Sequence, residues 1–325
     1  MSRRQLSVDS PPPPSPARTA TVTVTAATTP QFTAAAADAS ATPRPPSTPP
    51  VVVLFHGLGD HAGSYDDFAG LLLARLPPGA LIRCFDQPGH GRLSSEPGTD
   101  PATSERKDDP RRILLTDWDD RVSLCLDYVA HCRELAGPDA PLVLAGCSMG
   151  GLLAACVGVR VDASLHGVRG ALLLCPALDV RLTAIMRLQS LLKPLLLAIA
   201  PRARLVDAVR RADLTDEADV LDRWTADPLI YMGKTPVITA AQIQRGFGWI
   251  QRRAADFTLP VRVVHGTADR CTDPTLSRAW LERTGCTTEN RDYVPLQGAL
   301  HLIHVGRFAP ATADHAAEFI RRVAR

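Results

Sequence analysis

The sequence lacks the features that mark several large classes of protein. Its eight cysteines form no CxxC pair, so neither a zinc site nor a disulfide framework is indicated, and we expect reduced thiols inside a cell. The longest apolar stretch, residues 191–200, is interrupted by Lys193-Pro194 and is too short to cross a bilayer. The net charge is only +2, and the first 50 residues account for it. The rest of the chain is therefore about neutral, which argues against nucleic acid as a partner.

The N-terminal segment also lacks the apolar core of a secretory signal. Residues 1–18 are rich in Pro, Ser and Arg, which predicts a disordered or polyproline-like tail. Because acidic residues are scarce there, an organellar transit peptide is the alternative to a plain flexible tail. We therefore expect a cytoplasmic protein, with a plastid or mitochondrion as the alternative. Residues 19–25 alternate Thr and Val and, with residues 31–37, predict a hairpin at a sheet edge.

From residue 51 onward, strand and helix patterns alternate, which indicates an α/β fold with a mostly parallel sheet. Hydrophobic residues make up 45% of the chain, enough for a substantial core. Short apolar runs predict strands, and helical spacing predicts the helices between them. The predicted strands are Val51–Phe55, 81–85, 142–145, 171–175, 261–265 and 292–295, and the predicted helices are 65–76, 117–135, 152–161 and 308–323.

Between residues 176 and 259 this alternation fails, and Leu-rich and Arg-rich helical segments take its place. An insertion there would lie over the C-terminal edge of the sheet, where open α/β folds bind ligands. We interpret residues 176–259 as a helical cap on a core made of residues 19–175 and 260–325. Pro194 is expected to break or kink the first cap helix.

The stretch Gly146-Cys147-Ser148-Met149-Gly150 follows a short apolar run. A buried strand that ends in G-x-S-x-G is the pattern of a nucleophile elbow, a tight strand-to-helix turn that projects a serine. Glycines two residues either side of the serine remove side chains that would clash in so sharp a turn. The helix that follows aims its N-terminal amides at the nucleophile. The alternative is a glycine-rich turn with an idle serine.

Six motifs occur in one order along residues 50–325, and together they resemble the monoacylglycerol lipase and lysophospholipase-like branch of the α/β-hydrolases. They are His56-Gly57-Leu58-Gly59-Asp60-His61, Gly89-His90-Gly91-Arg92, Gly146 to Gly151, Asp227-Pro228-Leu229, His265-Gly266-Thr267-Ala268-Asp269 and Leu300-His301. Residues 227–234 and Thr272-Asp273-Pro274-Thr275 look most like plant and algal members. The chain departs from the family at Cys147, at Leu93 and in a longer loop at 94–112. The resemblance implies an α/β-hydrolase fold with a helical cap and a serine esterase activity.

A serine hydroxyl needs a base within hydrogen-bond reach, and in this fold the acid and then the histidine follow later in the chain. Asp269 is the expected acid, because it comes just after a buried strand. Asp273 is the nearby alternative, although Asp273-Pro274 is typical of a helix N-cap with proline at the first helical position. The resemblance places the general base at His301, with His304 as its competitor. Ser148, Asp269 and His301 are thus the predicted catalytic triad.

The oxyanion hole is predicted to come from the backbone N–H groups of Met149, after the nucleophile, and Leu58, in the loop after the first strand. Gly57 lets the backbone approach the substrate closely. His56 is expected to shape this loop by hydrogen bonding. By family resemblance, His61 is expected to line the glycerol end of the pocket, with a surface position as the alternative.

The cap predicts a hydrophobic substrate. Leu182, Ile185 and Met186 begin a wide apolar face at helical spacing, which suits an acyl chain or a lipid surface. Ordinary packing of the cap on the core is the alternative for about half of that face. We therefore expect these residues to bind substrate and the cap to make a peripheral membrane contact.

The predicted reaction is cleavage of a carboxylic ester through an acyl-enzyme, with no cofactor and no metal. Monoacylglycerol or lysophospholipid-type esters are the expected substrates. An acyltransferase or an aryl-ester esterase with the same triad is the alternative, followed by a non-catalytic ligand receptor. An aminopeptidase would need acidic groups in the cap to bind a free amine, whereas Asp213, Asp216, Glu217 and Asp219 are typical of a solvated face. The sequence leaves the oligomeric state open.

Overall fold

A six-stranded parallel sheet organises the chain. The computed structural model describes residues 48–93, 109, 111–180, 184–206 and 209–325. The strands are β1 (Val51–Phe55), β2 (Leu81–Cys84), β3 (Leu142–Cys147), β4 (Val168–Leu174), β5 (Arg204–Val206), β6 (Thr235–Pro236), β7 (Val261–Gly266) and β8 (Arg291–Leu296). The helices are α1 (Asp66–Leu73), α2 (Trp118–Ala136), α3 (Met149–Arg160), α4 (Ala163–His166), α5 (Ala184–Ile199), α6 (Ala218–Ala226), α7 (Val237–Arg252), α8 (Pro274–Glu282) and α9 (Ala309–Val323). The predicted tail and hairpin at 1–37 lie outside the described residues, as does most of the loop at 94–112.

The strand order in the sheet is β2-β1-β3-β4-β7-β8. Every neighbouring pair is parallel; for example, Val51 of β1 lies beside Leu81 of β2 and Leu142 of β3. The carboxyl ends of all six strands therefore meet at one edge. The residues that follow β1, β3, β7 and β8 lie at this edge.

Both faces of the sheet are covered by helices, which explains why β1, β3 and β7 are buried along their whole length. On one face, Trp118 of α2, Leu152 of α3 and Trp280 of α8 belong to one apolar cluster. On the other face, Phe68 of α1 and Phe319 of α9 belong to a second cluster. This arrangement is the α/β architecture that the strand–helix alternation predicts.

The chain between β4 and β7 forms α5, β5, α6, β6 and α7. Helix α5 runs through Pro194 without ending there, so the predicted break at that residue is not observed. β5 and β6 pair antiparallel in a small separate sheet, which the sequence did not predict because segments of three and two residues show no alternation. Helix α7 reaches the core, where Gly246 packs so closely on Trp118 that an added Cβ would lie 2.5 Å from the indole ring.

Candidate active site

Ser148 lies between β3 and α3 in a backbone conformation that side chains rarely adopt, with φ 55° and ψ −119°. The turn is closed tightly on both sides. A Cβ at Gly146 would lie 2.1 Å from the carbonyl oxygen of Gly150, and a Cβ at Gly150 would lie 1.9 Å from that of Phe55. Glycine at both positions is therefore a steric requirement of this turn, as the G-x-S-x-G pattern predicts.

Asp269 and His301 lie together at the carboxyl edge, although 32 residues separate them in the chain. Asp269 comes three residues after β7, and His301 lies in the loop after β8. Nδ1 of His301 donates to Oδ2 of Asp269 at 2.8 Å. The other oxygen, Oδ1, accepts from the backbone N–H groups of Cys271 at 2.8 Å and Thr272 at 3.0 Å. The carboxylate is thus held from both sides.

The electrostatics of this pair favour an ionised acid. Burial opposes the ionisation of Asp269, but the neighbouring imidazoles of His301 and His265 outweigh it and hold the pKa of the carboxyl well below its usual value. An anionic carboxylate behind the imidazole is what a general base needs to stabilise the imidazolium that forms when it takes a proton.

The two competitors in the sequence occupy different places. Asp273 is the N-cap of α8, and its side chain accepts from the backbone N–H groups of Thr275 and Leu276. His304 is buried and stacks on Tyr65 at a centroid distance of 4.5 Å. Burial first, and then the neighbouring His301, lower the pKa of His304 to about 4, so its ring is neutral near pH 7.

Ser148 and His301 line one pocket, which also includes the predicted oxyanion loop. The apolar part of the lining comes mainly from the segment between β4 and β7. The lining residues are Gly57, Leu58, Gly59, Asp60, Cys147, Ser148, Val209, Leu214, Trp224, Ile230, Tyr231, Met232, His301, Leu302 and His304. Gly57 faces the nucleophile, because a Cβ added there would lie 3.5 Å from Cβ of Ser148. Met149 is the first residue of α3 and is buried.

His56 is fully buried at the start of the predicted oxyanion loop. Its Nε2 accepts from the backbone N–H of Gln87 at 2.9 Å, and the Gln87 side-chain amide donates to the carbonyl oxygen of His56 at 2.9 Å. These contacts join the loop after β1 to the loop after β2. The arrangement agrees with the loop-shaping role predicted for His56.

Besides Gly57, the residues predicted to contact the substrate are His61, Leu182, Ile185 and Met186. Nε2 of His61 lies 2.9 Å from Oδ2 of Asp227, and His61 is not among the residues that line the pocket, so the structure gives this ring a protein partner. Leu182 lies outside the described residues, and Ile185 and Met186 are placed only by the backbone of α5. Substrate contact by these four residues stays a prediction.

Three buried groups of the site were quoted in motifs but given no role by the sequence reasoning. Asp60 lines the pocket, and its Oδ1 accepts from the backbone N–H of His61 at 2.7 Å and from the hydroxyl of Ser64. His265 and Thr272 contact Asp269. A polar residue predicted to lie at the carboxyl end of a buried strand is the signal that would have marked them.

Among the residues that the structure describes, two sets of side chains have ligand atoms close enough together for a metal ion, within 4.8 Å of one another. One is Cys175, His265 and Asp269, and the other is Asp269, Cys271 and His301. Both contain Asp269, whose oxygens already accept four hydrogen bonds from three residues, Cys271, Thr272 and His301. A metal ion would have to displace the contact between Asp269 and His301 or share it. The predicted reaction uses no metal ion, and the absence of a metal from the site stays a prediction.

The sequence pattern of the family described as serine aminopeptidase, S33, matches residues 46–306. The chain belongs to this family. Among curated relatives, a monoacylglycerol lipase of Mycolicibacterium smegmatis is 31% identical over 254 residues, which is 73% of this chain and 77% of that protein. A monoglyceride lipase of Mus musculus is 24% identical over 262 residues, or 80% of this chain and 78% of that protein.

The fold of this S33 family member is also found among solved structures. The crystal structure of Paleococcus ferrophilus monoacylglycerol lipase superimposes with a TM-score of 0.63 at 24% identity, over 83% of this chain and 93% of that one. The predicted α/β-hydrolase fold and the resemblance to monoacylglycerol lipases are thereby confirmed. A plant or algal type stays a prediction.

Proposed function

We propose that this chain is a serine hydrolase that cleaves carboxylic esters of the monoacylglycerol type, with Ser148, His301 and Asp269 as its triad. The observation that most supports this proposal is the 2.8 Å contact between Nδ1 of His301 and Oδ2 of Asp269, beside the pocket that Ser148 and His301 both line. Membership of the S33 family and the similarity to monoacylglycerol lipases support the reaction class.

In the proposed reaction, Oγ of Ser148 attacks the ester carbonyl carbon while Nε2 of His301 takes the hydroxyl proton. The carbonyl oxygen becomes an oxyanion, which the backbone N–H groups of Leu58 and Met149 stabilise. The ester C–O bond then breaks, and His301 returns the proton to the departing alcohol. Water repeats these steps on the acyl-enzyme and releases the fatty acid, which leaves Ser148 and His301 as they began.

The mixed character of the pocket supports an ester with a polar alcohol and an apolar acyl group. Leu214, Ile230 and Leu302 supply apolar lining, whereas Asp60 and His304 supply buried polar groups. Hydroxyl groups of a glycerol suit the second set, and a hydrocarbon chain suits the first. Lysophospholipid-type and aryl esters, and an acyltransferase reaction on the same acyl-enzyme, are the alternatives that a substrate screen separates.

The acidic residues of the predicted cap do not favour aminopeptidase chemistry. Asp216 pairs with Arg307, and Glu217 accepts from the backbone N–H of Arg307 at 3.0 Å. Asp219 pairs with Arg223 within its own helix. These carboxylates are engaged away from the pocket lining, where an amine would need them.

Residues 176–259, interpreted as the cap, are proposed to touch a lipid surface. Leu191, Leu192, Leu195 and Ile199 of α5 are between 54% and 75% exposed, an unusual exposure for four large apolar side chains on one helix. Of the helices formed by the described residues, none combines the length and the apolar composition that a membrane crossing requires. We propose a cytoplasmic protein with peripheral membrane contact. A plastid or mitochondrial location is the alternative, and a localisation experiment separates the two.

The proposal is tested with a fluorophosphonate probe and a panel of monoacylglycerols, lysophospholipids and soluble aryl esters. Wild-type protein should be labelled and should hydrolyse monoacylglycerols, and Ser148→Ala should lose labelling and turnover together. Ser164→Ala, at an exposed serine of α4, is the control and should behave as wild type. Undiminished hydrolysis by Ser148→Ala would falsify the assignment, and labelling without monoacylglycerol turnover would transfer the proposal to another ester on the panel.

A further inference from the structure

Two imidazole rings meet at one oxygen of Asp269. His301 approaches Oδ2 with Nδ1 at 2.8 Å, and His265 approaches the same oxygen with Nε2 at 3.2 Å. His265 is the penultimate residue of β7 and has no solvent exposure. The proposed reaction gives a role to the first histidine and none to the second.

Thr272 completes the surroundings of this oxygen. Its Oγ1 lies 2.7 Å from Oδ2 of Asp269, 3.1 Å from Nε2 of His265 and 3.1 Å from the carbonyl oxygen of Cys175. A hydroxyl has a single proton, which Asp269, Cys175 or an unprotonated Nε2 of His265 can accept. Oδ2 of the ionised Asp269 has only lone pairs to offer, so an attractive contact between it and Nε2 of His265 requires a proton on that nitrogen.

The environment of the other ring nitrogen indicates the charge of His265. Its Nδ1 has no hydrogen-bond partner among the described residues. An imidazolium would bury an unpaired N–H there, whereas a neutral ring protonated at Nε2 leaves only an unpaired lone pair. These contacts favour the neutral ring with its proton on Nε2.

We propose that His265 is a positioning residue of the triad: its Nε2–H fixes the direction of the Asp269 carboxylate and takes up part of its charge. This inference rests on the proposed function, since it assigns a role only if Asp269 orients His301. The backbone N–H groups that reach Oδ1 fix one end of the carboxylate. His265 and Thr272 contact the other oxygen, Oδ2, and so hold it in one orientation relative to Nδ1 of His301.

Removing the His265 donor has two measurable effects: kcat decreases, and the acidic limb of the pH profile of kcat/KM moves to higher pH. The carboxylate gains freedom to rotate, so the imidazole is oriented less well and kcat falls. The carboxylate also keeps more of its negative charge for His301, which stabilises the imidazolium. The acidic limb of the pH profile of kcat/KM therefore moves to higher pH. A residue that only fills space would lower the folded fraction and leave that limb in place.

Few other groups near Asp269 contribute to the pH profile of kcat/KM. The titratable groups that surround it are His265, His301, the thiols of Cys147, Cys175 and Cys271, Tyr293, and Asp213 beyond Cys271. Burial raises the pKa of all three thiols and raises the pKa of Tyr293 to about 12, so these groups stay neutral near pH 7. His304, beside His301, is already neutral above its pKa of about 4.

The test compares His265→Gln, which keeps a side-chain N–H donor, with His265→Leu, which keeps none. The control is His90→Leu, because His90 is also buried and also has one ring nitrogen without a partner among the described residues. Rates on a soluble short ester are divided by the sites that a fluorophosphonate labels, and kcat/KM is followed from about pH 5 to 9.

His265→Leu should lose about 10- to 100-fold in kcat per labelled site, the range for one hydrogen bond to a charged group, with KM within about twofold of wild type. Its acidic limb should move upward. His265→Gln should keep the wild-type limb and most of kcat, and His90→Leu should keep both. The proposal is overturned if His265→Leu keeps full kcat per site, or if its limb does not move.

If His265→Leu does not fold, His265→Met replaces it as the variant without a donor. A lower kcat per labelled site and a higher acidic limb than in His265→Gln support the proposal, and equal kcat or equal limbs in the two variants overturn it. Failure of the proposed function has a separate signature. In that case the wild type itself is not labelled, or Ser148→Ala retains its activity, whatever the His265 variants show.

Discussion

The backbone N–H of Tyr231 donates to the carbonyl oxygen of Gly59 at 2.7 Å. This bond ties the proposed oxyanion loop to the segment between α6 and β6. The two backbones are as close as glycine allows: Gly59 has φ +76°, and an added Cβ would lie 2.4 Å from the carbonyl oxygen of Tyr231. The position of the neighbouring Leu58 amide therefore depends on a residue from the predicted cap.

Gly59→Ala is accordingly expected to damage catalysis more than stability. The methyl group has to push Tyr231 and Gly59 apart, which displaces the Leu58 N–H from the developing oxyanion, and loss of one such donor costs about 100- to 1,000-fold in kcat. Steady-state kinetics on a soluble ester measures this loss. Gly70→Ala, where an added Cβ meets no atom within 4 Å, is the matched control. Wild-type kcat in Gly59→Ala would show that the loop amide plays no part.

The choice between the two aspartates after β7 can be tested directly. Asp269→Asn should remove the partner that orients His301 and lower kcat by about 10⁴-fold without unfolding the protein. Asp273→Asn should leave kcat near wild type and cost at most about 1 kcal/mol of unfolding free energy, because asparagine is also an effective N-cap. Kinetics and urea unfolding of both variants check this. The assignment is reversed if Asp273→Asn is the inactive variant.

The thiols near the site should react slowly with maleimides. Cys147 is 2% exposed and Cys271 is half-buried, and burial raises the pKa of both thiols, so little thiolate exists near pH 7. We expect slow inhibition, with Cys271 modified first. Time courses of inactivation compare the wild type, Cys271→Ala and the Cys147→Ala, Cys271→Ala double variant. Unchanged sensitivity in the double variant would place the reactive thiol elsewhere.

Replacing Leu191 and Leu195 of α5 by Ser should weaken binding to vesicles and slow the turnover of long-chain monoacylglycerols. These side chains are 75% and 56% exposed, so a membrane would bury apolar surface that water now covers. A soluble short ester should still be hydrolysed at the wild-type rate. Leu165→Ser, at a 72% exposed leucine of α4, is the control. Equal losses on short and long esters would mean that the two leucines only hold the cap together.

Acid should destabilise the protein partly through His304. Burial lowers the pKa of His304 to about 4, against about 6.5 for an unfolded histidine. Between these values the unfolded chain binds a proton that the folded chain does not, so the free energy of unfolding falls as the pH falls. The contribution reaches about 2 kcal/mol between pH 7.5 and 5.

Urea unfolding at the two pH values checks this prediction. His304→Phe, which keeps an aromatic ring on Tyr65, should lose less stability in acid than the wild type does. His131→Phe, at an exposed histidine, should lose as much as the wild type. If His304→Phe and the wild type lose the same free energy of unfolding between the two pH values, His304 does not cause the acid destabilisation.

The repeating patterns of the sequence predicted most of the sheet and its helices. The helix predicted at 117–135 is observed at Trp118–Ala136 with Asp117 as its N-cap, and the last helix begins one residue later than predicted. The sequence predicts the contact between Asp269 and His301 because each follows a strand of the sheet and the family resemblance places the general base at His301. It does not predict the pair of His61 and Asp227, since 166 residues separate them and one distant pair leaves no periodic signal.

The backbone of Ser148 has a further consequence. Its φ and ψ of 55° and −119° are open to glycine and cost a serine about 1–3 kcal/mol. Ser148→Gly is thus expected to be a more stable protein without a nucleophile. Mutational drift under selection for folding alone would favour glycine at this position. A lineage that ceased to need the reaction is therefore expected to lose its serine early, while the sheet around it persists.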